Sequence, residues 1–192
     1  MPDVTRYLIL ANVAAYAATV LLGGLPYLWF ALLPPGDGFM PWQLLTYAFL
    51  HGGLAHLAFN MFGLYFMGAD VERVWGPRRF TIYYFTCVVS AALLQMATML
   101  MSDGPVGPVV GASGGVFGLL LAFAMLFPQR RVVPLIPPIP MPAWLFAALY
   151  GGLELLLGVT GTQQGVAHFA HLGGMLGGFL LIRHWRTRRR GS

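Results

Sequence analysis

The sequence predicts an all-α membrane protein, a polytopic bundle of six transmembrane helices. Of the 192 residues, 58% are hydrophobic and only 9% are charged, and the mean hydropathy is +0.72. Soluble domains carry about 25% charged residues, so lipid is the better solvent for this composition. The apolar residues also fall into six segments, each near the length of about 20 residues that a membrane helix needs. We therefore expect one membrane domain over residues 1–192.

The six predicted spans are separated by connecting segments, of which the first is long. They are residues 6–24, 54–69, 80–101, 113–127, 141–158 and 167–185. The first segment is long and has no small-residue cleavage site followed by a soluble domain, so we interpret it as a span rather than a signal peptide. The connection after it is rich in Tyr, Trp and Phe. Because such side chains favour the headgroup layer, we expect this connection to lie in the membrane interface.

The basic residues predict the orientation. All 11 are arginines, and with six spans all of them fall on one side of the membrane: Arg6, Arg73, Arg78, Arg79, Arg130, Arg131, Arg183, Arg186, Arg188, Arg189 and Arg190. The opposite side carries Asp37 and Asp103. The positive-inside rule then predicts that both termini are cytoplasmic. The arginines are few and stay close to the span ends, which favours a lipid bilayer as partner over nucleic acid. Together with the small six-span chain, they favour a bacterial inner (cell) membrane.

Polar residues gather where spans two, four and six begin, which is the outer side of the membrane in this topology. They are His51, His56, Asn60, Ser113, His168 and His171. Polar groups within a membrane are costly and usually face a bundle interior or a wet cavity. A lone histidine would be interpreted as a core residue, but the shared depth of these groups predicts a site.

Ser113 is the candidate nucleophile. Span four, at 15 residues, is about 22 Å long, shorter than the hydrocarbon core of about 30 Å. The span therefore begins below the outer surface, and residues 103–108 are expected to dip inward as irregular backbone lining a cavity. At a helix N-terminus, unpaired N–H groups can stabilise an anion.

The candidate base is His171, because glycines follow it three and seven residues later. Gly174 and Gly178 form a G-x-x-x-G pair on span six, and Gly114 and Gly118 form another on span four. Such pairs let membrane helices approach closely, although they are also common in apolar helices that only pack. Beside a serine and a histidine, they predict a hydroxyl within reach of an imidazole, as an activated serine requires.

His56 and Asn60 lie four residues apart on one face of span two. Their N–H groups can donate to a developing oxyanion. Three histidines could instead bind zinc, but no H-E-x-x-H or comparable ligand set is present. We expect neither a metal nor a cofactor.

The stretches HGGLAHLAFN, GASGG and AHLGGMLGG, on the second, fourth and sixth spans, resemble the rhomboid family of intramembrane serine proteases, as does GADVERVWGPRRF after span two. The resemblance covers nearly the whole chain. It implies a serine endopeptidase with Ser113 as nucleophile and His171 as general base, and with His56, Asn60 and the Ser113 amide binding the oxyanion. It also implies transmembrane protein substrates, cut near the outer end of their span.

Glycines around the serine, Gly111 and Gly114, are assigned to the same oxyanion and substrate-binding region because they line the approach to Ser113. Two positions depart from the family pattern. Gln43 stands where arginine is usual, so the family pattern does not predict how the connection after span one is anchored. Phe117 stands where tyrosine is frequent, which keeps stacking on the histidine but loses a hydroxyl.

Other interpretations remain open. Gly111-x-Ser113-x-Gly115 also fits a nucleophile elbow, and Ser113, Glu154 and His171 follow the chain order of α/β-hydrolases. That fold needs a strand before the serine, and no alternating strand pattern occurs here, so we interpret Glu154 as a rim or gate residue. A rhomboid-like pseudoprotease that binds helices without cutting them is the main non-enzyme alternative. A transporter would need internal repeats that the sequence lacks.

Overall fold

The computed structural model of the protein describes residues 1–36, 38–102, 107–134, 138–161 and 166–190. Eight α-helices form within these residues: α1 Asp3–Leu21, α2 Leu25–Phe30, α3 Gln43–Thr46, α4 Leu54–Gly63, α5 Ala69–Leu100, α6 Ser113–Leu126, α7 Ala143–Thr160 and α8 His168–Arg190. A π-helical turn, Leu64–Gly68, joins α4 to α5 without interruption. Before α7, two short antiparallel strands pair, β1 (Arg131–Val132) with β2 (Met141–Pro142).

Apolar helices dominate the fold, which makes the protein an integral membrane protein. Among the described residues, three helical runs are long and apolar enough to cross a bilayer, namely Asp3–Leu21, Leu54–Leu100 and Ala143–Thr160. Helix α6 is apolar but shorter, at 14 residues. Helix α8 is 23 residues long and ends in the arginine-rich segment.

The run Leu54–Leu100 is 47 residues long, more than twice what a bilayer needs. It breaks at Gly76, whose φ of 75° and ψ of 165° lie outside the helical region. Pro77 follows and has no N–H to continue the hydrogen-bond ladder. Only glycine adopts this backbone readily, so the sequence Gly-Pro divides the run into two arms, next to the arginines between predicted spans two and three.

Helix α1 is attached to α5 through a buried carboxylate. Glu72 is 3% exposed and accepts hydrogen bonds from the backbone N–H groups of Val4 (2.9 Å) and Thr5 (2.7 Å) and from the Thr5 hydroxyl (2.7 Å). The first N–H groups of a helix lack intrahelical partners and carry positive partial charge. Nothing local in the sequence shows that the partners of Glu72 lie in α1, so this contact is not predicted from the sequence.

Gln43 anchors the connection after α1. Its side chain is fully buried, accepts a hydrogen bond from Leu33 N (3.3 Å) and donates to the carbonyls of Trp29 and Gly38 (both 3.4 Å). Neutral hydrogen bonds therefore anchor the connection where the family pattern would use an arginine.

Helices α5, α6 and α8 meet along a surface that we call the glycine seam, formed by Gly114, Gly115, Gly118, Gly173, Gly174, Gly177 and Gly178. A Cβ atom added at Gly174 would overlap the backbone carbonyl of Gly114, and one added at Gly118 would overlap Cys87 and lie 3.2 Å from Gly174 O. Helices α6 and α8 therefore touch backbone to backbone, which only residues without side chains allow.

Part of the seam differs from the prediction. A Cβ at Gly178 would meet the Tyr83 hydroxyl and Cys87 of α5, so Gly178 packs α8 against the third predicted span rather than the fourth. Gly173 and Gly177, which the sequence analysis did not select, face Ser90 of α5. Because α8 carries glycines on two adjacent faces, one face packs on α6 and the other on α5.

Candidate active site

Ser113 and His171 lie together at the start of α6. Ser113 Oγ is 2.8 Å from His171 Nε2, a hydrogen-bond distance. The ring of Phe117, one turn further along α6, stacks on the imidazole with centroids 4.3 Å apart and an interplanar angle of 7°. This is the stacking that the family resemblance implies for Phe117. The histidine is thus held on its face by an aromatic ring and at one edge by a hydroxyl.

The glycine seam accounts for this distance. Gly174 lies one turn after His171, and it contacts the backbone of Gly114, the residue after Ser113. The closest approach of α6 and α8 therefore lies beside the two side chains. Gly114 also faces Ala91 of α5, which makes it a packing residue of the seam.

The predicted oxyanion residues lie on the other side of Ser113. His56, Asn60, Ser113 and His171 all line one cavity of about 1590 Å³. Asn60 Nδ2 donates to the carbonyl of His56 at 2.9 Å, which uses one of its two amide protons and leaves the second. Gly111 has φ of 128°, and a Cβ there would lie 2.7 Å from the His56 ring. Glycine is therefore required at 111 by backbone conformation and by the nearness of His56.

The segment before Ser113 is irregular, as expected. Val109 pairs with Leu32 through two backbone hydrogen bonds of 2.9 Å, and Gly111 N donates to Tyr47 O at 3.0 Å. Gly107 and Pro108 line the cavity. Residues 103–106 of the predicted inward dip lie outside the described residues.

His51 is fully buried at the entry to α4. Its ring packs edge to face against His56, with centroids 5.0 Å apart, and its backbone carbonyl accepts a 2.6 Å hydrogen bond from the Tyr27 hydroxyl. Burial, and secondly the neighbouring His56, lower the pKa of His51 to about 4. His51 is therefore neutral at pH 7, and a charged His51 would oppose the packing of this corner.

Glu154 does not lie at a rim or gate, so that interpretation was wrong. It is 9% exposed, and its Oε2 atom lies 2.6 Å from His168 Nδ1 and 2.8 Å from His171 Nδ1. The two imidazoles beside it offset part of the free-energy cost of burying the carboxylate. The order of Ser113, Glu154 and His171 in the chain could have indicated this contact between Glu154 and His171. The α/β-hydrolase fold that usually accompanies that order is absent from the described residues.

Glu154, His168 and His171 could also hold a metal ion, since one ligand atom from each lies within 4.8 Å of the others. Ser113 can donate to His171 Nε2 only when the ring proton is on Nδ1. A metal at Nδ1 would displace that proton. Nε2 would then carry the ring proton and donate to Ser113 Oγ, so a His171 with a metal on Nδ1 could not take the proton of the serine.

The fold and site define a helical membrane protein with a serine–histidine pair at the start of a buried apolar helix. The chain belongs to the rhomboid family, because the family model described as Rhomboid domain matches residues 38–187. The resemblance read from the sequence motifs is thereby confirmed.

Relatives from plants, yeast and bacteria match most of the chain. It is 35% identical over 146 residues to RHOMBOID-like protein 4 of Arabidopsis thaliana, a match covering 73% of this chain and 33% of the relative. It is 30% identical over 146 residues to Rhomboid protein 1, mitochondrial, of Saccharomyces cerevisiae (72% and 40%). It is 31% identical over 138 residues to Rhomboid protease GluP of Bacillus subtilis (72% and 25%). The chain spans less than half the length of each of these relatives.

Proposed function

We propose that the protein is an intramembrane serine endopeptidase that uses Ser113 as nucleophile and His171 as general base. The observation that carries this proposal is the 2.8 Å contact between Ser113 Oγ and His171 Nε2, located where α6 begins and open to a cavity. A hydroxyl is a weak nucleophile unless a base removes its proton. A protein that only binds helices has no use for such a pair.

In the proposed reaction, Oγ attacks the substrate carbonyl carbon while its proton moves to His171 Nε2. The tetrahedral oxyanion accepts hydrogen bonds from the Ser113 amide at the α6 N-terminus and from the side chains of His56 and Asn60. His171 then returns the proton to the leaving amine, the C–N bond breaks, and an acyl-enzyme remains. Water from the cavity repeats the sequence and releases the acid.

The six-span topology belongs to the same proposal. Helix α1, the two arms on either side of Gly76, α6, α7 and α8 supply six membrane segments. The arginine distribution supports cytoplasmic termini and a site that opens to the outer side. A bacterial inner membrane stays a prediction from the sequence, and the matched relatives include bacterial, plant and mitochondrial proteins.

The substrates proposed are single-span membrane proteins cut near the outer end of their helix. A helix in a bilayer keeps its carbonyls in intrahelical hydrogen bonds, so a substrate must unwind locally before Ser113 can reach one. Gly or Pro in its upper span should lower the cost of unwinding. Small residues should be favoured at the cut, because the cavity is narrow where the backbone of Gly111 approaches the His56 ring and Ser113 Oγ.

The test is cleavage of a reconstituted single-span substrate, with product masses mapped by mass spectrometry. Wild type should cut near the outer end, Ser113→Ala and His171→Ala should not cut, and replacing upper Gly or Pro by Leu should slow the reaction. His168→Ala should keep appreciable activity, because Glu154 Oε2 also lies 2.8 Å from His171 Nδ1 and can stay beside it. Cuts at the cytoplasmic end, or cleavage by Ser113→Ala, would refute the proposal. Substrate binding without cleavage by wild type would favour the adaptor alternative.

A further inference from the structure

We propose that Glu154 is a positioning residue for His171, so that Ser113, His171 and Glu154 work in series. The inference rests on the proposed protease function. His171 lies between the two oxygens: its Nε2 is 2.8 Å from Ser113 Oγ and its Nδ1 is 2.8 Å from Glu154 Oε2. The three side chains come from α6, α8 and α7, so the arrangement is built by tertiary packing.

The negative charge of the carboxylate favours the form of His171 that carries its proton on Nδ1. An acceptor beside Nδ1 favours the tautomer with hydrogen on Nδ1, and this leaves the Nε2 lone pair for the Ser113 proton. After the proton transfer, both ring nitrogens carry hydrogen and the ring is positive. A negative oxygen 2.8 Å away stabilises that cation where little water screens it.

Glu154 is itself held in place by His168. The directed hydrogen bond to Oε2 comes from His168 Nδ1 at 2.6 Å, whereas His171 Nδ1 approaches the same oxygen at ion-pair distance. The rings of His168 and His171 are perpendicular, with centroids 6.4 Å apart. One oxygen is therefore shared by two imidazoles, and its effect on His171 is chiefly electrostatic.

The position of Glu154 on α7 supports a role in the site. The buried residues of α7 are Ala143, Ala147 and Glu154, which recur at spacings of four and seven and so share one helix face. The other two buried residues are alanines. A carboxylate within an apolar helix is costly and usually marks function, and here it points at the two histidines rather than at solvent.

The titratable groups that face His171 in the described residues come from three helices. They are Glu154 on α7, His168 on α8 and His56 on α4, while α6 contributes the Ser113 hydroxyl and the Phe117 ring. Glu154 is the one acid among them. Removing its charge should therefore make the positively charged form of His171, which arises during the reaction, less favourable.

The experiment compares Glu154→Gln with wild type in the substrate cleavage assay across pH. The substitution keeps the shape of the side chain and removes the charge. We expect kcat to fall at least about 10²-fold with KM little changed, and the acidic limb of the pH–rate profile to move to lower pH. Glu154→Asp, which restores the charge, should recover part of kcat.

A matched control is Glu72→Gln, which also neutralises a buried carboxylate but contacts α1 and not the site. It should lower the melting temperature while keeping the wild-type pH profile.

If Glu154→Gln keeps wild-type kcat and pH profile while Ser113→Ala is inactive, the role of Glu154 is refuted and the protease proposal stands. If Glu154→Gln loses activity only in step with unfolding and with an unmoved acidic limb, its role is structural and the inference also fails. If wild type itself does not cleave, the proposed function fails first.

Discussion

The two sides of Ser113 are packed in opposite ways. On the seam side, α6 lies against α5 and α8 with glycine backbone in contact and no room for a methyl group. On the other side, between α4 and α7, lies the cavity of about 1590 Å³, which we call the cleft. Aromatic side chains line the cleft: Phe59, Phe62, Phe66, Phe146 and Tyr150. Phe59, Phe62 and Phe66 are each about half exposed or more, at 61%, 47% and 53%.

The seam fixes the geometry of the serine–histidine pair, and the cleft gives the substrate access to it. Close-packed backbone cannot adjust to added volume, so the seam sets the distance between Ser113 and His171. The cleft has half-exposed aromatic side chains and space beside the same serine. A substrate segment can therefore approach from the cleft without disturbing the seam. Substitutions that add volume to the seam should therefore cost more than substitutions in the cleft.

Gly174→Val should give the largest effect, because its side chain would overlap the backbone carbonyl of Gly114. We expect loss of cleavage and a fall in the free energy of unfolding of about 3 kcal/mol, measured by thermal melting in detergent. The control is Gly152→Val on α7, where an added Cβ meets no atom within 4 Å; it should be close to wild type. Equal behaviour of the two variants would mean that the seam does not constrain the site.

Acid should destabilise the corner where His51 packs against His56. His51, at the entry to α4, has its pKa lowered to about 4, against about 6.5 in an unfolded chain. As pH falls from about 6.5 to 4, the unfolded state binds a proton that the folded state does not, so stability falls, by at most about 1.4 kcal/mol per pH unit. Above about pH 6.5 His51 is neutral in both states, so the folded protein has its full stability there.

The measurement for His51 is the melting temperature between pH 7.5 and 4.5 for wild type and His51→Phe. The variant should show a flatter dependence on pH, since it removes the titrating ring. Parallel curves for the two proteins would show that His51 does not lose a proton on folding.

Gly178→Val should destabilise the protein but slow substrate cleavage less than Gly174→Val does. The added side chain would meet Tyr83 and Cys87 of α5, a contact two turns from His171 and not directed at α6. We expect a loss of about 1–3 kcal/mol in unfolding free energy with cleavage retained at low temperature. Complete inactivity of a folded Gly178→Val would show that the two seam contacts act on the site alike.

Phe62→Ala should have the smallest effect, because this ring is 47% exposed in the cleft. Substitutions at such positions usually change stability by about 0.5 kcal/mol or less, and we expect cleavage to stay within about threefold of wild type. A fall in melting temperature as large as that of Gly174→Val would mean that the cleft is packed as firmly as the seam.

The sequence predicts the seam better than it predicts the cleft. Ser113, His171, Gly118 and Gly174 could be placed because helical spacing and small residues imply which faces meet. The partner of Gly178 could not, since α8 carries glycines on two faces and spacing alone does not say which neighbour each face meets.

Glu154 shows where the argument from sequence fails. Its position near the outer end of a span suggested a rim, but the direction in which a side chain points depends on how α7 rotates about its axis. Glu72 was missed for a related reason: two of its three partners are backbone N–H groups of α1, which any sequence would supply, and the third is the hydroxyl of Thr5 in a distant helix. Polar contacts between distant helices therefore need the fold, whereas backbone contacts through glycine can be recognised in the sequence.

The proposed mechanism requires that His171 activates Ser113 inside the membrane. The most direct measurement is labelling of the purified protein by a fluorophosphonate, followed by peptide mass spectrometry to locate the adduct. Wild type should carry one adduct on Ser113, His171→Ala should label at least about 10²-fold more slowly although its serine is intact, and Ser113→Ala should not label. Equal labelling rates for wild type and His171→Ala, or an adduct on another residue, would contradict the account.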